Sequence, residues 1–117
     1  MNPLEAALYV FLLDGGTQPL SCALRAETEA VCSNGVRVTQ ISESLLQFSS
    51  GARVEKTAEG DLRFSTGLTG WRSSAGWIRF SNGLQVRRAG ANLYRFAHGY
   101  HCIDVSPREA RCLKAIE

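Results

Sequence analysis

The charged chemistry open to this chain is largely that of arginine. Eleven of its thirteen basic residues are arginine, whose planar fork matches phosphate and carboxylate groups. Arg87, Arg88, Arg95, Arg108, Arg111 and Lys114 fall in the last third, with Tyr94, Phe96 and Tyr100 among them. That composition can hold phosphates and stack bases. Charge sign divides the chain in the same direction. Residues 1–62 carry four basic and eight acidic groups, whereas residues 63–114 carry nine basic groups against Asp104 and Glu109. With Glu117 the net charge is +2. Asymmetry between halves points to an anionic partner, with DNA the first candidate. The competing reading is a solvated sheet face, because neighbours along a strand point to opposite sides and break up the cluster.

Other chemistry is poorly supported. His101 and Asp104 with a nearby serine would make a nucleophile triad, but no G-x-S-x-G elbow accompanies them. The acids sit mostly at turn signals rather than in pairs suited to acid–base work, and no Gly-rich phosphate loop is present. The chain is therefore expected not to be an enzyme and to need no cofactor. His98 and His101 beside Cys102 offer metal ligands, yet the tight C-x2-C pairs of zinc sites are missing, and no metal is expected. Trp71 and Trp77 flank Arg72-Ser73-Ser74-Ala75-Gly76 and read as packing aromatics rather than a ligand platform.

The four cysteines have a more specific pattern. Cys22 and Cys32 are ten positions apart, as are Cys102 and Cys112. Each pair brackets a strand–turn–strand segment. Placing Cys22 opposite Cys32 sets Leu24 against Ala30; placing Cys102 opposite Cys112 sets Asp104 against Ala110, with Ser106-Pro107 at the turn. Facing residues of a non-hydrogen-bonded antiparallel pair are close enough for a disulfide. Disulfides are favoured over free thiols or zinc ligation; four cysteines allow three pairings, and hairpin symmetry favours the sequential one. Disulfides imply an oxidising compartment. No export signal precedes residue 2, so the expectation is an exported fragment that has lost a leader or an anchoring segment.

One domain over residues 1–117 accounts for the length. Asn2-Pro3-Leu4-Glu5 reads as a helix start, and Leu4, Ala7, Leu8, Phe11 and Leu12 follow the spacing of a buried helical face. Tyr9, Val10 and Leu13 make the other side apolar too, so the helix over residues 3–13 must be covered on most sides. Gly15-Gly16 ends it. Residues 19–116 then read as β-rich. Apolar residues alternate with polar ones, and Asn34-Gly35 and Asn82-Gly83 supply turn signals. No internal repeat, linker or low-complexity tract is expected. The fold class is α+β, a short N-terminal helix packed on a mostly antiparallel sheet.

Leu62-Arg63-Phe64-Ser65-Thr66-Gly67, then Ala75-Gly76-Trp77-Ile78-Arg79-Phe80, Asn82-Gly83 and Cys102-Ile103-Asp104-Val105-Ser106-Pro107 occur in this order. The arrangement resembles the C-terminal sheet of minor type IV pilins and type II secretion pseudopilins of the H-type group, over about half the chain. The resemblance implies a pilin-like fold, its helix the lower half of a membrane-anchoring helix. It implies a non-enzymatic pilus or pseudopilus subunit, exported to the periplasm or cell surface. Its partners would be other pilin or pseudopilin subunits and the inner membrane, reached through a segment missing from this chain. Some relatives bind DNA through arginines near the C-terminus. That carries over to Arg108 and Arg111, although Arg108-Glu109-Ala110-Arg111 stands where the family has a Gly-Arg turn. A DNA-uptake pilin using these two with Lys114, Arg87 and Arg88 is the alternative function. An exported β-scaffold enzyme or inhibitor is the third.

Overall fold

The computed structural model describes residues 2–73 and 76–114. Ser74 and Ala75, in the segment between the tryptophans, and the end of the β-rich region at residues 115–117 lie outside the described residues. The chain opens with α1 (Pro3–Leu13), started as its sequence dictates: the Asn2 side chain accepts a hydrogen bond from the Leu4 N–H at 2.8 Å, and Pro3 begins the first turn. Twelve strands follow: β1 (Leu20–Ala26), β2 (Glu29–Cys32), β3 (Arg37–Ser42), β4 (Leu45–Phe48), β5 (Arg53–Lys56), β6 (Leu62–Phe64), β7 (Thr69–Arg72), β8 (Ile78–Phe80), β9 (Gln85–Gly90), β10 (Leu93–Phe96), β11 (Tyr100–Ser106) and β12 (Glu109–Lys114). Each pairs antiparallel with its neighbours in sequence, and β1 pairs with β12 through Leu20↔Cys112 and Cys22↔Ala110. The sheet is a closed barrel.

This overturns the expected helix-on-sheet fold and, with it, the pilin resemblance. A pilin helix lies on one face of an open sheet, whereas here the first and last strands join and the sheet surrounds the helix. Every α1 residue from Ala6 to Leu12 is buried, and Leu4, Ala6, Ala7 and Phe11 have no exposed surface. The bore of the closed barrel covers the helix on every side. The fit follows from strand number. Eight strands make a barrel that side chains alone can fill, and twelve make a wider one. A helix about 10 Å across occupies the difference. The molecule measures 34 × 33 × 23 Å, and eleven helical residues rise about 16 Å, enough to span most of the short axis.

A repeat does exist. Inward-facing Cys22, Val38, Val54, Gly70, Val86 and Cys102 are sixteen residues apart, and so are their cross-strand partners Cys32, Phe48, Phe64, Phe80, Phe96 and Cys112. Six hairpins therefore form the wall. Within a hairpin Trp71 faces Arg79; Arg79 then faces Gln85, two residues before the equivalent position Arg87. Two residues per hairpin over six hairpins gives a stagger of twelve around twelve strands. Eight-stranded barrels with the same one-to-one ratio have strands tilted about 36°. The motifs that resembled pilins are copies of this unit: Leu62-Arg63-Phe64-Ser65-Thr66-Gly67 recurs as Ile78-Arg79-Phe80-Ser81-Asn82-Gly83.

Successive hairpins join through tight turns whose third residue is Gly35, Gly51, Gly67, Gly83 or Gly99, with φ between +89° and +97°. That conformation strains any residue with a Cβ. The serine opening the turn stitches neighbours together. Ser81 donates its N–H to the Thr69 carbonyl at 2.8 Å, and its Oγ accepts from the Thr69 N–H at 3.0 Å. Ser33, Ser49 and Ser65 do the same with Ser21, Arg37 and Arg53. Ala97 keeps only the backbone half, to Gln85. Ser81→Ala is thus expected to lower the free energy of unfolding by about 0.5–1.5 kcal/mol, and Ala97→Ser to raise it by up to a similar amount. Urea titrations in which neither substitution moves the midpoint would show that the Oγ bonds add nothing.

The helix does not sit centrally. Its backbone lies closest to β12, β1, β11 and β2, where the mid-strand inward side chains are small (Cys22, Ala30, Cys32, Cys102, Ala110 and Cys112), with the larger Leu20 and Tyr100 at the strand ends. On the far side Phe48, Phe64, Phe80 and Phe96 fill the wider gap. Both expected disulfides are formed, Cys22–Cys32 and Cys102–Cys112, in the registers read from sequence. They flank the seam where β1 meets β12.

Candidate functional site

Alternation in the strands sorts side chains into a buried inner set and an outer wall. The outward position just before each inner Phe or Cys is held by Val31, Gln47, Arg63, Arg79, Arg95 and Arg111. Four successive hairpins thus present an exposed arginine at the same height on the wall. They stand on every second strand, about 10 Å apart along the circumference, given strand spacings of 4.7–4.9 Å. Arg87 adds a fifth charge directly opposite Arg95. Facing like charges destabilise a sheet, and among the described residues neither has a carboxylate partner; the ion pairs are Lys56–Glu5 at 2.8 Å and Arg111–Glu109 at 3.3 Å.

The five cations singled out from the sequence are scattered. Arg87 and Arg111 stand in the band. Arg88 folds back on its own turn, donating to the carbonyls of Gly90 at 3.2 Å and Ala91 at 2.9 Å, with its guanidinium 5.7 Å from the Tyr94 ring centroid. Arg108 lies in the β11–β12 turn, where its carbonyl accepts from the Leu24 N–H across the seam. Lys114 ends β12 opposite Tyr100, at the other rim. Arg63 and Arg79 were missed. Their signal is the sixteen-residue spacing from Arg63 to Arg111.

The tryptophans are not core residues. Trp71 is 43% exposed on the outer wall, directly opposite Arg79. Trp77 is half-buried, with the Arg87 guanidinium 5.4 Å from its ring centroid. The supposed triad does not assemble. His101 and Asp104 differ by an odd number of positions on one strand, so they point to opposite faces; His101 lies beside Arg95 and Leu113, and Asp104 opposite buried Ala110. Burial of the Asp104 carboxyl, whose Oδ1 has no hydrogen-bond partner, raises its pKa, and nearby Arg88 offsets part of the rise. All four cysteines are in disulfides, and His98 Nε2 is hydrogen-bonded to the Gly16 carbonyl.

At the mouth near the helix N-terminus, Glu5, Tyr9, Gln40, Glu43 and Lys56 line a cavity of about 140 Å³. Organic ligands occupy pockets of about 300–1,000 Å³, so this one is too small to be the principal site. Tyr9 in it is held un-ionised by burial first and then by the Glu5 carboxylate and Tyr94.

Shallower surface hollows of about 340–440 Å³ occur elsewhere on the barrel, and the outer wall of β6–β12 is where exposed arginines and an exposed tryptophan come together. No family model, curated protein or solved structure matches the chain.

Proposed function

We propose that this chain is an exported, non-enzymatic binding module that takes an anionic polymer along the outer wall of β6–β12. The observation that carries the reading is the in-phase row Arg63, Arg79, Arg95 and Arg111, reinforced by Arg87 facing Arg95. A row in phase with the hairpins sets one arginine about every 10 Å across the strands; Arg79 and Arg95 are its centre, with Arg63 facing Glu55 and Arg111 paired with Glu109 at its ends. Export is supported by the two disulfides, and a periplasmic or cell-surface setting fits them. Among the described residues no helix is long and apolar enough to cross a membrane. The fibre-subunit reading, with its pilin partners and inner-membrane anchor, drew its support from a fold that the barrel replaces.

Neutralising phosphates releases counterions, so affinity should fall linearly with salt on a log–log plot. For a single-stranded polymer each phosphate contact contributes about 0.7 to that slope. Changing Arg63, Arg79, Arg95 and Arg111 together to glutamine should flatten it by about 3 and weaken binding at low salt. Fluorescence anisotropy with labelled oligonucleotides at 50 and 200 mM salt reads both. Absence of binding by the wild type at 50 mM salt, or an unchanged slope in the variant, would defeat the proposal.

A further inference from the structure

Resting on the polyanion reading, we infer that Trp71 and Arg79, beside the Trp77–Arg87 pair, form a base-stacking subsite and that the polymer is a single-stranded nucleic acid. Trp71 is one of three large apolar side chains exposed among the described residues. It projects from a polar wall and faces Arg79 across the β7–β8 ladder. Diagonally across the β8–β9 ladder, two positions beyond Gln85, Arg87 lies over Trp77 and faces Arg95. A polymer that is phosphate alone, such as polyphosphate, has no ring to lay on an exposed indole. A polymer with bases does, because each base has a π face that stacks on aromatic rings or guanidinium planes. The subsite thus alternates the two recognition elements that single strands need: a platform at Trp71, a cation at Arg79, then a cation oriented by Trp77 at Arg87.

Wall shape separates single strands from duplexes. The barrel is 34 Å wide, so its convex wall has a radius of about half that. Duplex DNA, with a persistence length of about 50 nm, meets such a cylinder tangentially and reaches few of the arginines. A single strand can follow the curve from β6 towards β12.

The test uses the full chain and three probes: a twelve-residue oligo(dT), a twelve-base-pair duplex, and inorganic polyphosphate of matched charge. Oligo(dT) is expected to quench tryptophan fluorescence and to bind more tightly than either of the others. Trp71→Ala should weaken oligo(dT) binding about 5- to 150-fold, the value of one stacked base, and leave polyphosphate binding unchanged. Arg87→Gln with Arg95→Gln should weaken both. If Trp71→Ala melts below the wild type, Trp71→Leu repeats the comparison with an apolar side chain in place. Duplex binding as tight as oligo(dT), or oligo(dT) affinity unmoved by either Trp71 substitution, would overturn the stacking subsite while the polyanion reading stood. Failure of all three probes would overturn both.

Discussion

Phe11→Ala is expected to cost about 3–5 kcal/mol of unfolding free energy, a large share of the 5–15 kcal/mol that holds a typical domain together. Phe11 has no exposed surface. Its ring centroid lies 5.2 Å from that of Phe96 and 5.5 Å from that of Tyr100. Tyr100 in turn donates to the Thr17 carbonyl at 3.0 Å, and His98, stacked on Tyr100, bonds Gly16. The ring thus sits where the chain leaves the bore to become the wall. A cavity there cannot close easily, because the wall behind it is held by continuous ladder hydrogen bonds. Leu13→Ala, at the half-buried end of the helix, should cost clearly less. Urea unfolding of both variants checks the comparison. A Phe11→Ala loss below about 1 kcal/mol would mean that the bore repacks and the helix is not the barrel's filling.

Replacing Cys102 and Cys112 is expected to have the next largest effect, and the choice of replacement matters. Alanine at both positions removes a loop constraint worth about 3 kcal/mol in the chain-entropy model. Valine at 102 with phenylalanine at 112 restores the pair that Val38–Phe48, Val54–Phe64 and Val86–Phe96 use at equivalent positions. That pair should nonetheless be worse than alanine. The helix backbone approaches β11 and β12 closely, and forcing a phenyl ring into a filled site costs about 1–3 kcal/mol. Thermal melts without reductant should rank wild type above the alanine pair and the alanine pair above the valine–phenylalanine pair. A valine–phenylalanine variant more stable than the alanine one would show that the space beside β12 is not restricted by the helix.

Local features were legible in the sequence. Asn2-Pro3 marked the helix start, and the equal spacing of Cys22–Cys32 and Cys102–Cys112 set the hairpin registers, because partners across a hairpin keep a constant sum. Closure was not legible. Leu20 meets Cys112 across nearly the whole chain, and no short-range pattern reports such a contact. The repeat was hidden because few of its sixteen positions are held. Glycine in the turn and an inward phenylalanine are the steadiest, and the outermost hairpins replace phenylalanine with cysteine. On the outside the period is kept by Arg63, Arg79, Arg95 and Arg111 and by the turn serines Ser33, Ser49, Ser65 and Ser81. The helix carries the strongest sequence sign of closure. A segment apolar on every side needs a surface that covers every side, and an open sheet does not provide one.

The seam between β1 and β12 also has a consequence for the order of events during folding. Each hairpin is a local structure that forms in about 1–10 μs. The contact between residues 20 and 112 must wait for a long loop to close, and such non-local pairings are slow. Until then the wall is an arc with two unpaired edges, which can template pairing with another chain. Chain order shortens that exposure. Synthesis runs from the N-terminus, so α1 exists before any strand and the hairpins can condense around it one after another.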